Sequence, residues 1–208
     1  MASQMEFFHV GFFPKRCVTR ENWPSLQPEN ANYHFPAPAP IDQLCSVSSC
    51  IVKGLVGFDY PEISENSFNQ YGGFNQLATA LDLIRKQAPG EFELYAYGVP
   101  EVLYEEGQSH PEEIGCVEPD EIEVDSPAYD KLGYDVVELR YCSFMCSPLS
   151  CNGQAGENRE LVNQYCLVEN ESDAIKLAID FSINKPEPGP YVIVEVWKYV
   201  YPLDASIL

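Results

Sequence analysis

The chain has 208 residues, 45% hydrophobic and 12% aromatic, with 32 Asp or Glu against 12 Lys or Arg, a net charge of -20. This length and apolar content support one folded domain over residues 1–208 and argue against a disordered acidic polymer. The charge argues against direct DNA or RNA binding, because the phosphate term that dominates such affinity would be repulsive.

Residues 5–13, Met-Glu-Phe-Phe-His-Val-Gly-Phe-Phe, are rich in β-formers on both faces and stop at Pro14, which predicts a central N-terminal strand. Residues 21–41 hold Pro24, Pro28, Pro36, Pro38 and Pro40, so an irregular or polyproline-like excursion is expected there, with Trp23, Tyr33 and Phe35 folding it back onto the body. Residues 44–58 combine a Cys-Ser-rich turn with an apolar run broken by two glycines, and stay undecided between helix and strand.

From Phe74 to Gln87, Leu77, Leu81 and Ile84 recur at helical spacing, with Asn75 as N-cap and Pro89-Gly90 as the stop. Phe92–Val99 alternates as a strand, and Val136–Tyr141 reads as another after a Gly133-Tyr134-Asp135 turn. A second helix is predicted over Asp173–Ser182, with Ser172 as N-cap and Ile175, Ala178 and Ile179 on its buried face. Tyr191–Val200 is the strongest strand signal. No internal repeat is evident, and strands and helices intersperse without a regular βαβ cadence. The predicted class is therefore α+β, a mainly antiparallel sheet with about two helices and long irregular loops.

The charge is concentrated. From Glu91 to Asp130 there are thirteen Asp or Glu and no Lys or Arg, so this segment supplies -13 of the -20. Within the acidic excursion, residues 100–130, the candidate partner-binding residues are Glu105, Glu106, Glu112, Glu113, Glu118, Asp120, Glu121, Glu123 and Asp125, interrupted by Pro111, Pro119 and Pro127. One reading is a solvated loop that maintains solubility and blunts a sheet edge. The other is a docking surface for a basic partner protein, fast to associate and conceivably imitating nucleic-acid charge. In an extended Glu121–Asp125, alternate carboxylates would lie about 6.7 Å apart on one face. Tyr104, Ile114, Val117 and Ile122 would supply its apolar centre. The loop lacks the regular Asp-x-Asp-x-Asp-Gly arrangement of a calcium site.

Eight cysteines are expected to be mostly reduced thiols, since the start has no basic-then-apolar signal pattern and no apolar run reaches membrane-spanning length. Both features predict a cytoplasmic protein without membrane contact. Cys142, Cys146, Cys151 and Cys166 could in principle ligate zinc, but their spacing is looser than the Cys-x2-Cys pairs of structural sites, and ordinary packing is the simpler reading. Cys166 opens an apolar stretch, Tyr165–Val168, that reads as a buried strand. The alternative function is a cysteine-dependent enzyme, with Cys151 in an exposed Ser147–Gly153 turn and His9, His34 or His110 as base. His9 is more simply a satisfied core histidine. Tyr95, Tyr97, Trp197, Tyr199 and Tyr201 alternate and could stack on a ligand from one face. Phosphate cradles, dinucleotide turns, nucleophile elbows and paired metal histidines are all missing. No cofactor or metal is expected, and the balance favours a non-enzyme: an inhibitor, immunity-type or adaptor protein.

Overall fold

The computed structural model describes residues 7–23, 41–48, 69, 71–87, 92–100, 128–140, 143–144, 146–151, 158, 160–184 and 191–200. Their elements are β1 (Phe7–Arg16), β2 (Val18–Thr19), β3 (Gln43–Leu44), α1 (Leu77–Gln87), β4 (Phe92–Pro100), β5 (Tyr129–Arg140), β6 (Ser143–Phe144), α2 (Pro148–Cys151), α3 (Glu171–Asn184) and β7 (Tyr191–Tyr199). The main sheet has the order β1-β4-β7-β5-β6, every neighbouring pair is antiparallel, and β2 and β3 form a separate two-stranded ribbon. The class is α+β with an antiparallel sheet.

Period-two alternation gives the sheet two apolar faces. On one, α1 packs Ala80, Leu83 and Ile84 against Phe12, Phe92 and Leu94, while α3 packs Ala174, Leu177, Ala178 and Phe181 against Val136, Tyr191 and Ile193. The opposite face carries Phe13, Tyr95, Tyr97, Val192, Val194 and Val196 under Cys45, Val47, Tyr71, Phe144 and Leu167. Burying each large side chain contributes roughly 1.5–3 kcal/mol, so the middle strands anchor both layers.

Several expectations are corrected. β1 is an edge strand, and it continues through Pro14 to Arg16. Its outer edge is covered, because Phe12 exchanges both backbone hydrogen bonds with Phe74. Pro14 has the same parity as Phe12, so its missing N–H points to that outer side and costs no ladder bond. Gly133-Tyr134-Asp135 is no turn: it lies inside β5, where the register shifts between Lys131 and Gly133. Asn75 does not cap α1, since its buried Oδ1 accepts no hydrogen bond; α1 starts after Gln76, whose carbonyl accepts from Ala80 N–H. Asn170, not Ser172, caps α3, accepting from Asp173 N–H at 3.2 Å. The α3 face is also rotated from the prediction: Leu177 and Phe181 reach the core, and Ile179 is 56% exposed. Tyr165–Val168 is a set of turns with isolated bridges rather than a strand, and Cys166 sits at φ 61°.

The expectation of no internal repeat also gives way. Asn69 and Asn163 both begin Asn-Gln-Tyr and build the same loop. Asn69 N–H donates to Gly73 O and Asn163 N–H to Leu167 O, while Gly72 and Cys166 donate back to the asparagine carbonyls. The Asn69 side chain donates to Val10 O at 2.6 Å and that of Asn163 to Leu132 O at 2.7 Å. Each Oδ1 accepts two loop N–H groups, from Tyr71 and Gly73 in one loop and from Tyr165 and Leu167 in the other. Gly72 and Cys166, at corresponding positions, both have positive φ.

Each loop then bridges a bulged strand, Phe74 to Phe12 and Val168 to Tyr134, immediately after a positive-φ glycine, Gly11 or Gly133. Each leads into a helix and a strand. The unit β1–α1–β4 therefore matches β5–α3–β7, and the β4–β7 register maps onto itself about the Tyr97–Val196 pair. A local two-fold axis runs between β4 and β7.

A Cβ on Gly11 would lie 2.6 Å from Asn69 Nδ2, and one on Gly133 2.7 Å from Val168 O. Gly11→Ala and Gly133→Ala are each expected to cost about 2–4 kcal/mol, from positive-φ strain plus that clash. Asn69→Ala and Asn163→Ala should cost about 2 kcal/mol each through lost hydrogen bonds. Urea midpoints of the four variants check this; near-wild-type midpoints would contradict the shared role.

Candidate functional site

The predicted partner-binding carboxylates, Glu105, Glu106, Glu112, Glu113, Glu118, Asp120, Glu121, Glu123 and Asp125, lie outside the described residues, as do Tyr104, Ile114, Val117 and Ile122. The attachment points of their segment are defined. β4 and β5 run parallel on either side of β7, and Asp130 stands level with Tyr95 through Lys198. The chain therefore leaves at Pro100 on one end of the sheet and re-enters at Ala128 on the other, about 20 Å away along the strands.

Three polar clusters lie on the scaffold itself. The first is closed. Asp135 is 0% exposed, and its carboxylate accepts from Ser46 Oγ (2.8 Å), Val47 N–H (2.8 Å) and Ser147 Oγ (2.6 Å). Ser150 Oγ donates to Ser46 Oγ at 2.9 Å. Lys15 donates to Ser46 O at 2.8 Å, and its Nζ lies 5.1 Å from the Tyr97 ring centroid. Burial raises the Asp135 pKa despite these donors, and burial lowers Lys15 to about 7 against the attraction of Asp135. Ser48 and Ser147 are also fully buried. The network fastens the 45–48 segment and the turn before α2 to the sheet, and it presents no group to solvent.

The second cluster sits beside the β2–β3 ribbon. Glu93 accepts from Lys198 Nζ at 2.5 Å, from Gln43 Nε2 and from Tyr95 OH, and Tyr95 OH lies 3.4 Å from Cys45 Sγ. Burial, then the Glu93 charge, raises the half-buried Cys17 thiol. Burial pushes Cys45 up to about 12. Both are thiols at neutral pH, so neither is an activated nucleophile.

The third lies on the helix-bearing face. Lys131 donates to Glu195 and, at 2.7 Å, to Tyr134 OH. Trp197 Nε1 donates to the second Glu195 oxygen at 3.3 Å, and Gly98 lies directly across the ladder from Glu195.

The sequence candidates for cysteine chemistry are not assembled by these groups. His34, His110 and Cys142 lie outside the described residues, and Cys151 ends α2. Cys146 and Cys166 are buried, and no metal-holding group of His, Cys, Asp or Glu occurs among the described residues. His9 bonds Gly11 O through Nε2 at 2.8 Å. The single aromatic platform is corrected: Tyr95 and Tyr97 are buried on one face, while Trp197 and Tyr199 belong to the other. Tyr201 lies outside the described residues.

Sequence reasoning missed Lys15, Asp135, Glu93 and the Cys17–Cys45 neighbourhood. The available signal was a charged residue inside an apolar alternation, as with Asp135 before Val136-Val137. No helix among the described residues is long and apolar enough to cross a membrane. No protein-family model, curated protein or solved structure matches the chain.

Asp135→Ala should cost about 3 kcal/mol, because three donors lose their acceptor in the interior and Lys15 loses a neighbouring opposite charge. Lys15→Met should cost less, since the lysine stem is packed and its charge weakly held; equal costs would contradict this. Lys15 titrates near 7 when folded and near 10.5 when exposed. Between those values the unfolded chain holds the extra proton, so stability should rise with pH across that window. Urea unfolding of wild type against Lys15→Met from pH 7 to 10 reads the difference, and a flat difference would remove the buried-lysine account.

Proposed function

We propose that this protein binds other proteins through its acidity, acting as an inhibitor, immunity-type or adaptor protein that engages a basic surface on its partner. What supports the reading is where the charge sits. The described residues contain nine Lys or Arg against thirteen Asp or Glu, a balance of -4, so -16 of the -20 belongs to residues outside them. Cations of the scaffold are engaged locally: Lys131 with Glu195, Lys198 with Glu93, Lys176 with Asp173 and Arg85 with Asp82. Such pairing leaves little positive charge to offset residues 101–127.

A one-signed field mainly accelerates association and selects the partner; apolar contact then slows release. Ile179 and Ile183 fall one helical turn apart on α3, 56% and 71% exposed, and provide such an apolar anchor. Charge on the partner could be the basic surface that normally grips nucleic-acid phosphate.

Reversing Glu118, Asp120, Glu121 and Glu123 to Lys is expected to slow association at least tenfold at low salt with the fold intact. The partner is first captured from native lysate at low salt and eluted with rising salt, and the rates are then measured with purified components. An unchanged association rate would sink the reading.

A further inference from the structure

We propose that Cys17 and Cys45 are the two halves of an intramolecular disulfide, formed by exchange with a low-molecular-weight disulfide, that locks the β2–β3 ribbon.

Register opposes the two cysteines. Val18 pairs with Leu44 and Thr19 with Gln43, so the same register carried one residue past the end of the ladder opposes Cys17 to Cys45. Arg20 N–H donates to Asp42 O, although Asp42 N–H turns to Gln164 O; that one bond across the ribbon places the hydrogen-bonded positions at 20/42 and, two residues on, at 18/44, and so makes 17/45 non-hydrogen-bonded. The Cys45 N–H agrees, since it turns away from β2 and donates to Tyr165 O. Opposed residues at non-hydrogen-bonded positions have Cα atoms about 4.5 Å apart and side chains on the same face. That separation lies within the range a disulfide spans. The surroundings agree too. The Glu93 charge acts on the Cys17 thiol, Glu93 accepts from Tyr95, and Tyr95 contacts Cys45, so both sulfurs lie in the surroundings of one carboxylate. Cys17 is half-buried and Cys45 buried, which gives the pair an outer thiol for attack and an inner one for resolution.

In the exchange, the Cys17 sulfur, as thiolate, attacks one sulfur of the small disulfide; an S–S bond forms and another breaks, releasing one small thiol. Cys45 then attacks the Cys17 sulfur and releases the second. Two protein thiols are oxidised by two electrons, the small disulfide is reduced to two thiols, and the two cysteine protons finish on those thiols. The raised Cys17 and Cys45 pKa values make the reaction slow at neutral pH. They also make the bond, once formed, hard to reduce, because the thiolate form is not stabilised. The ring so closed contains residues 18–44, including the Pro-rich excursion, and its entropy restricts the unfolded chain.

The test incubates the native protein with oxidised glutathione at pH 8, alkylates remaining thiols, and maps cysteine-linked peptides by mass. The expected result is a Cys17–Cys45 link and a rise of roughly 10 °C in melting temperature that reductant reverses. Cys17→Ser should abolish both link and rise, and a Cys50→Ser background assigns the link to Cys45. Linkage of Cys17 to Cys50, full alkylation of Cys17 and Cys45 after prolonged native oxidation, or a link formed only in urea would each overturn the proposal. Peptide mapping of wild type decides the matter even if a serine variant does not fold.

Discussion

One asparagine side chain, used twice, holds the architecture together. Asn69 and Asn163 each donate to a carbonyl of a bulged strand and accept two N–H groups of their own loop. This satisfies backbone groups that a bulge would otherwise leave unpaired in the interior. The glycine at each bulge is what admits the loop so close to the strand. From that clamp follow the entry of the helix, the return of the next strand and the burial of one sheet face. The β4–β7 ladder then joins the two units about a local axis.

The opposite face is held by different means. Asp135 and Lys15 sit where the repeat would place Phe13 and Val137 in the other unit, so charge has been installed on a scaffold whose counterpart positions are apolar at Phe13 and Val137. The Asp135 carboxylate gathers the Ser46 hydroxyl, the Val47 backbone N–H and the Ser147 hydroxyl, which organises two irregular segments around one buried atom pair. Such a network is demanding, since losing any donor exposes the desolvation cost of the rest. Its compensation is a fixed position for chain that carries little regular structure of its own.

Much of the fold was legible in the sequence where burial follows a simple period. Tyr191–Tyr199 and Phe92–Pro100 are dense in β-branched and aromatic residues, and the helix over Leu77–Gln87 shows its apolar spacing. Edge placement of β1 was not legible, because an apolar run reads the same whether a sheet strand or the 69–74 loop covers its far side. The α3 face was misread because Ile179 is as apolar as Leu177; only packing distinguishes them. The caps went wrong for a similar reason: Asn170 and Ser172 are both good capping residues, and geometry chooses. The repeat stayed hidden because it survives as Asn-Gln-Tyr and one glycine per unit, separated by unequal insertions. For the site, the concentration of carboxylates was plain in the sequence, whereas the Cys17–Cys45 opposition depends on a register that two short strands do not announce.

The stretch between Pro100 and Ala128 joins two units that are each complete in strands, loop clamp and helix. Opening the chain there would interrupt no hydrogen-bonded element of either unit among the described residues, and the β4–β7 ladder would still bring them together. A circularly permuted chain beginning near Ala128 therefore retains every clamp described above, with the acidic stretch converted from a bridge into a tail.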